Sequence, residues 1–142
     1  MRPFFVIYYM QQFLSQIALV VRDYDEAIDF YVNKLGFELV EDTVLSPEKR
    51  WVRVKPANAL SQGCHLLLAK AVTIEQINAI GNQTGGRVFL FLYTDDFDRD
   101  VKRLAEQGIS IVRPPQVEAF GKVLVFSDLY GNLWDLIEPT KV

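Results

Sequence analysis

Two arrangements of apolar and polar positions alternate along this chain, and the whole series occurs twice. Residues 14–21, LSQIALVV, are rich in β-formers and uncharged, which predicts a strand covered on both faces. DYDE at 23–26 then opens a helix, with Asp23 as N-cap and Glu26 three residues on. Ala27, Ile28, Tyr31 and Leu35 keep helical apolar spacing, and Gly36 ends the helix. Strands are expected over about 37–45, 50–55 and 64–69, with Ser46-Pro47 and the Pro56–Gln62 stretch as turns. A short helix near 73–80 and the segment GNQTGG at 81–86 lead into the second series. That series reads as a strand at 88–94, a helix at 96–107 between Asp96 and Gly108, and strands near 109–112, 122–127 and 133–138.

The two series are copies of one another. Segment 16–40, QIALVVRDYDEAIDFYVNKLGFELV, returns in outline as 89–112, FLFLYTDDFDRDVKRLAEQGISIV. Asp23, Tyr24 and Asp25 fall on Asp96, Phe97 and Asp98, and residues 63–68 fall on 131–136. Each half therefore reads β-α-β-β-β. One such half has an open sheet that cannot bury both faces, whereas two can do so together. The expected fold is α+β: an incomplete eight-stranded barrel, mostly antiparallel, with helices outside and a cupped face inside. The organisation is an N-terminal extension (1–12), a first module (13–80), a linker (81–87) and a second module (88–142), one domain overall. GNQTGGR precedes a strand and opens no helix, so it reads as a flexible linker near the mouth of the cup and not as a phosphate loop.

Composition narrows the classes. Half of the 142 residues are hydrophobic, enough for one core. The net charge is −3 and no basic stripe is interleaved with aromatics, which argues against nucleic acid as a partner. The opening MRPFFVIYYM is too short to span a bilayer and no small-residue cleavage site follows it. It is expected to be an upstream extension or an added edge segment, and a chain begun at Met10 would lose nothing of the repeat. A cytoplasmic location and no membrane contact are the expectation. The single cysteine, Cys64, excludes an intrachain disulfide and a Cys-cluster zinc site; it is expected as a small buried strand residue. Asp23, Asp25, Asp96 and Asp98 open helices and suit capping better than metal binding.

The strand–DxD–helix–Gly opening and the D-x-x-G-N-x-x-acidic close carry a resemblance. The residues concerned are Gln16 to Asp23, Phe30-Tyr31, Leu35-Gly36-Phe37 and Asp128-Leu129-Tyr130-Gly131-Asn132-Leu133-Trp134-Asp135-Leu136. Over roughly residues 13–138 the chain resembles the vicinal oxygen chelate superfamily, which includes glyoxalase I, extradiol dioxygenases, fosfomycin-resistance enzymes and bleomycin-binding proteins. The resemblance implies a homodimer, and it implies metal-ligand positions at Gln16, Leu67, Phe89 and Asp135. Leu67 and Phe89 offer no donor atom, Gln16 offers a neutral amide oxygen, and Asp135 is one methylene shorter than the family's usual Glu. A divalent metal is therefore disfavoured and no cofactor is expected. His65, the only histidine, lies two residues from Leu67, about 6.6 Å along the strand on the same side. A shifted Gln16/His65/Asp135 set is the one alternative metal site.

Alternation along the strands supplies the rest of the cup. Ala18 and Val20 go with Gln16, while Phe91 and Tyr93 go with Phe89. Trp51 and Arg53 share the face opposite Val52 and Val54, and Trp134 takes the side opposite Asp135, under the helices. Aromatic walls with a few converging polar groups describe a small-molecule pocket. Its ligand is expected to be small, partly aromatic or apolar, and anionic where Arg53 faces in. Two functions stay open at this point. In a glyoxalase-like lyase or isomerase, or a dioxygenase-related enzyme, the resemblance makes Asp135 the general base, with Gln16 orienting the substrate oxygen and His65 or Tyr93 donating. In a bleomycin-resistance-like module, the same cup sequesters a flat drug or metabolite without turnover. Whether the cup closes within one chain or by exchange of halves between two chains is likewise open.

Overall fold

In the computed structural model, which describes residues 11–59 and 63–141, the repeat becomes two matching sets of elements. The first set is β1 (Gln16–Val21), α1 (Tyr24–Ile28, continued by a π-helical turn over Asp29–Lys34), β2 (Glu38–Ser46), β3 (Lys49–Lys55) and β4 (His65–Lys70). A short helix α2 (Ile74–Ala79) leads to the second set: β5 (Val88–Tyr93), α3 (Phe97–Glu106), β6 (Ile111–Glu118), β7 (Gly121–Ser127) and β8 (Leu133–Pro139). The sheets have the orders β1-β4-β3-β2 and β5-β8-β7-β6. In each, the first and last strands pair in parallel and the other pairs are antiparallel. The correspondence extends to register, with Ala18 opposite Leu67 in one sheet and Phe91 opposite Asp135 in the other. The fold is α+β, two β-α-β-β-β units whose eight strands form two sheets and no closed barrel. The opening segment 1–10 and the end of the predicted 56–62 turn lie outside the described residues.

Both halves contribute to one core. Leu19, Val21, Val52, Val54, Leu66 and Leu68 from the first sheet join Leu124, Phe126, Trp134 and Leu136 from the second, with α1 and α3 supplying Ala27, Tyr31, Phe97 and Leu104. Trp134 lies in this core as alternation predicts, its ring 5.9 Å from Tyr31 and 5.8 Å from Phe126. A polar cluster is buried beside it. The Tyr31 hydroxyl and the Asn132 amide donate to one oxygen of the buried Asp128 at 2.6 and 2.8 Å. The backbone N–H groups of Tyr130 and Asn132 donate to the other oxygen, both at 2.9 Å. The cluster both shapes the Gly131-Asn132 hairpin turn and ties the first half to the second.

Several local expectations change. The first is that β1 is covered on one face only among the described residues: Leu19 and Val21 are buried while Ala18 is exposed. The helix predicted to run from Asp23 to Gly36 widens after Ile28, where the Leu35 amide donates to the Phe30 carbonyl at 2.8 Å. Asp23 does cap it, accepting from the Glu26 amide at 2.9 Å. The Glu26 carboxylate does not return to the cap; it takes Arg22 at 3.0 Å and the Tyr130 hydroxyl at 2.7 Å. β6 continues past residue 112 through Pro114 and Pro115, which a sheet edge tolerates at register shifts. Cys64 is exposed rather than buried, because β4 begins one residue later. The segment read as a free tether is anchored: Gln83 donates to the Ala18 carbonyl at 3.1 Å and accepts from the Val20 amide at 2.6 Å.

Candidate functional site

The face of the first sheet that is turned away from the core carries four of the candidate residues, Gln16, Trp51, Arg53 and His65. Side chains of a strand alternate, and hydrogen-bonded partners share a side. The registers therefore set Gln16 beside His65, Ala18 beside Leu67 and Arg53, and Arg53 beside Glu41 on one face. Val52 and Val54 are fully buried on the other. A cavity of about 450 Å³ sits on this face. Ala18, Val20, Trp51, Leu67 and Ala69 form its floor, and Val72 and Gln76 of the following segment flank it. Lys49, Arg50 and Lys70 also line it. Arg50 is already engaged, at 2.7 Å from Asp42 and 2.8 Å from Asp25; those hydrogen-bonded carboxylates hold its guanidinium still more firmly charged.

Next to the cavity lies an Arg–His pair. Nη1 of Arg53 is 2.9 Å from Nδ1 of His65, and Nε of Arg53 donates to Glu41 at 3.1 Å. His65 is 6% exposed, and its buried Nε2 has no hydrogen-bond partner among the described residues. Burial lowers the imidazole's affinity for a proton, and the charges of Arg53 and Lys55 lower it further. Lys55 itself is held by Glu38 at 3.1 Å and by the Ala59 carbonyl at 2.8 Å.

The second sheet has its own outward face. Asp135 stands there between Phe91 and Val125. Burial pushes its carboxyl above the ordinary range, with Arg113 acting in the opposite direction. Phe91 and Tyr93 project from β5, 62% and 68% exposed. A bulge between Val88 and Leu90 breaks the alternation, so Phe89 packs against the core cluster while Phe91 does not.

The structure thus brings Gln16, Trp51, Arg53 and His65 together on one face and Phe91, Tyr93 and Asp135 on another. With Phe91 and Tyr93 so exposed, the second face is not covered by the first sheet of the same chain. Glu41 and the flanking Val72 and Gln76 escaped the sequence reading. Glu41 meets Arg53 only through the register shift between Val44 and Ser46, which simple counting back from the hairpin turn does not give. Donor chemistry at the four implied metal positions does not fit a divalent cation: Leu67 and Phe89 have no ligating atom, and Gln16 and Asp135 lie on different sheets. Among the described residues no three His, Cys, Asp or Glu side chains gather into a metal-binding group.

Comparison with known proteins places this geometry. The family model of the Glyoxalase/Bleomycin resistance protein/Dioxygenase superfamily matches residues 13–136. The chain is 61% identical over 130 residues to an uncharacterized protein of Shewanella frigidimarina, covering 91% of this chain and 95% of that one. Among solved structures it is similar to TnmS3, an antibiotic binding protein from Streptomyces sp. CB03234. That match has 30% identity and a TM-score of 0.73, over 92% of this chain and 98% of TnmS3. It is equally similar in fold to a superfamily member from Sphaerobacter thermophilus, with 33% identity and a TM-score of 0.73, over 91% and 98% of the two chains.

Proposed function

The chain belongs to the Glyoxalase/Bleomycin resistance protein/Dioxygenase superfamily, and on that footing we propose that it is a binding protein that sequesters a small, flat, oxygen-bearing aromatic molecule. The observation that carries this reading is the cavity over the first sheet, with apolar walls, Trp51 for stacking and the Arg53–His65 pair beside it. Its volume suits a molecule of two or three fused rings. The likeness to an antibiotic binding protein supports the same reading.

The ligand site is completed by a second copy of the chain. Each sheet turns one face into the shared core and the other outward, so the aromatic Phe91–Tyr93 face of one copy is suited to closing over the Trp51 face of another. A homodimer with two such cups follows. No described helix is long and apolar enough to cross a membrane, and the ligand is reached from water.

The test is equilibrium binding of naphthoquinones and fused-ring carboxylates, read by calorimetry on the wild type and on Trp51→Ala. Saturable binding, weakened at least tenfold by the substitution, with the compound recovered unchanged, supports sequestration. Binding unaffected by Trp51→Ala would remove the cavity from consideration. A second reading, turnover by proton transfer, is favoured by one observation: burial raises Asp135 toward the range of a useful base. Conversion of the compound, abolished in Asp135→Asn with binding retained, would move the protein to that class.

A further inference from the structure

His65 presents an unusual chemical situation. It is the only histidine of the chain, it is 6% exposed, and its Nε2 has no partner among the described residues, while Nδ1 lies 2.9 Å from an arginine nitrogen. A guanidinium can only donate hydrogen bonds. Nδ1 must then accept, and the one proton of the neutral ring sits on Nε2. That N–H is buried and finds no acceptor among the described residues, a donor that a bound acceptor would satisfy.

We infer that Arg53 fixes His65 as an Nε2–H donor for a carbonyl or carboxylate oxygen of the bound molecule, and that the same contact bars this imidazole from ligating a metal. The inference rests on the reading of the first-sheet face as the ligand site. Ligation through Nε2 would send the ring proton to Nδ1, against the N–H of Arg53. Ligation through Nδ1 would displace Arg53 and set a cation against a cation. The charged groups facing the ring, Arg53 and Lys55, act in the same direction.

Position supports the oxygen. His65 and Gln16 share one row across the strands, and Leu67, Ala18 and Arg53 share the next, about 6.6 Å along. Leu67 and Ala18 belong to the cavity floor. A molecule whose ring lies on that floor has Arg53 in its own row and His65 in the next, so a substituent oxygen extended along the face is directed toward the pair. Arg53 uses two of the five guanidinium N–H groups on Glu41 and His65, leaving donors for the same oxygen.

Because the histidine is unique, nitrogen NMR of uniformly labelled protein reads it without assignment by mutation. At pH 7 the expected pattern is an unprotonated, accepting Nδ1 and a protonated Nε2. A protonated Nδ1, or an imidazolium, would overturn the inference, as would paramagnetic broadening of this ring by stoichiometric Co²⁺ in the wild type. Benzoate and toluene then serve as matched probes, followed by the indole N–H of Trp51 and by Nε2–H of His65. Both should move Trp51, and benzoate alone should move Nε2–H and bind at least tenfold more tightly. His65→Phe should erase that preference and keep toluene binding; should this variant not fold, Arg53→Met reads the same loss. A preference for benzoate undiminished in either variant sinks the donor role while the cavity reading stands. If neither probe moves Trp51, the cavity reading fails and the inference falls with it.

Discussion

Tyr31, Asp128, Asn132 and Trp134 show what a single hydroxyl can hold together. The Tyr31 oxygen donates to the buried Asp128 carboxylate at 2.6 Å and accepts from the Trp134 indole at 3.3 Å. Removing it with Tyr31→Phe leaves an indole N–H without its acceptor and deprives a buried carboxylate of one of its four donors. The expected cost is about 1.5–3 kcal/mol, measured by urea unfolding. His65 makes a prediction of the opposite chemical kind. Its folded-state proton affinity lies below the ordinary pKa of 6.5, so the unfolded chain binds the proton more readily. Stability from this group is therefore full above pH 6.5 and is lost as pH falls below that value. Unfolding midpoints taken between pH 7.5 and 5 should decline, and His65→Phe should flatten that part of the profile. Alternation along the strands was enough to put Trp51, Arg53 and His65 on one face from sequence. It could not supply Glu41 as Arg53's partner, because that depends on pairing register across a turn. Nor could it supply the unpartnered Nε2, which depends on burial in three dimensions.

The elements were legible in type and approximate length because their apolar periods are regular. Their irregularities were not. The π-helical turn over Asp29–Lys34 follows a stretch whose spacing is equally compatible with an ordinary helix, and its Phe30 and Tyr31 are both buried in the core. β6 outruns its prediction because two prolines normally end a strand, except on an edge. Two glycines are fixed by close approach. A methyl group on Gly121, at φ 145°, would overlap the Glu138 carbonyl across the β7–β8 ladder, and one on Gly81, at φ 78°, would overlap the Tyr130 carbonyl. Gly121→Ala and Gly81→Ala should each destabilise by roughly 2 kcal/mol or more. Gly108→Ala meets open space and should cost only the strain of its positive φ, about 1 kcal/mol. Thermal melts of the three variants side by side check the ranking.

At the scale of the molecule, the repeat made the architecture readable: a half that cannot cover its own sheet needs a second half, and the two share one core as that argument requires. Assembly was less readable, because whether halves face each other or stand back to back is decided by which sides enter the core. Here the sides bearing Val52, Val54, Trp134 and Leu136 enter it, and the faces of Trp51 and Phe91 are left outward. Phe91 is 62% exposed, so Phe91→Asp should change the stability of an isolated chain by no more than about 0.5 kcal/mol. It should nevertheless shift the sedimentation profile toward monomer and weaken ligand binding. An unchanged profile would remove the Phe91 face from the proposed contact.

The clasp of Gln83 on β1 has a consequence for solubility. β1 is an outer strand of its sheet, and an outer strand shows a row of unpaired backbone groups on which another chain can grow. The side-chain amide of Gln83 takes the Val20 N–H and the Ala18 C=O at once, imitating one rung of a neighbouring strand. A counterfeit rung of this kind stops addition without extending the sheet. Gln83→Ala would leave the sheet folded but its border open, and light scattering on mild heating should rise earlier than in the wild type, with fibrillar dye binding marking strand addition as the cause.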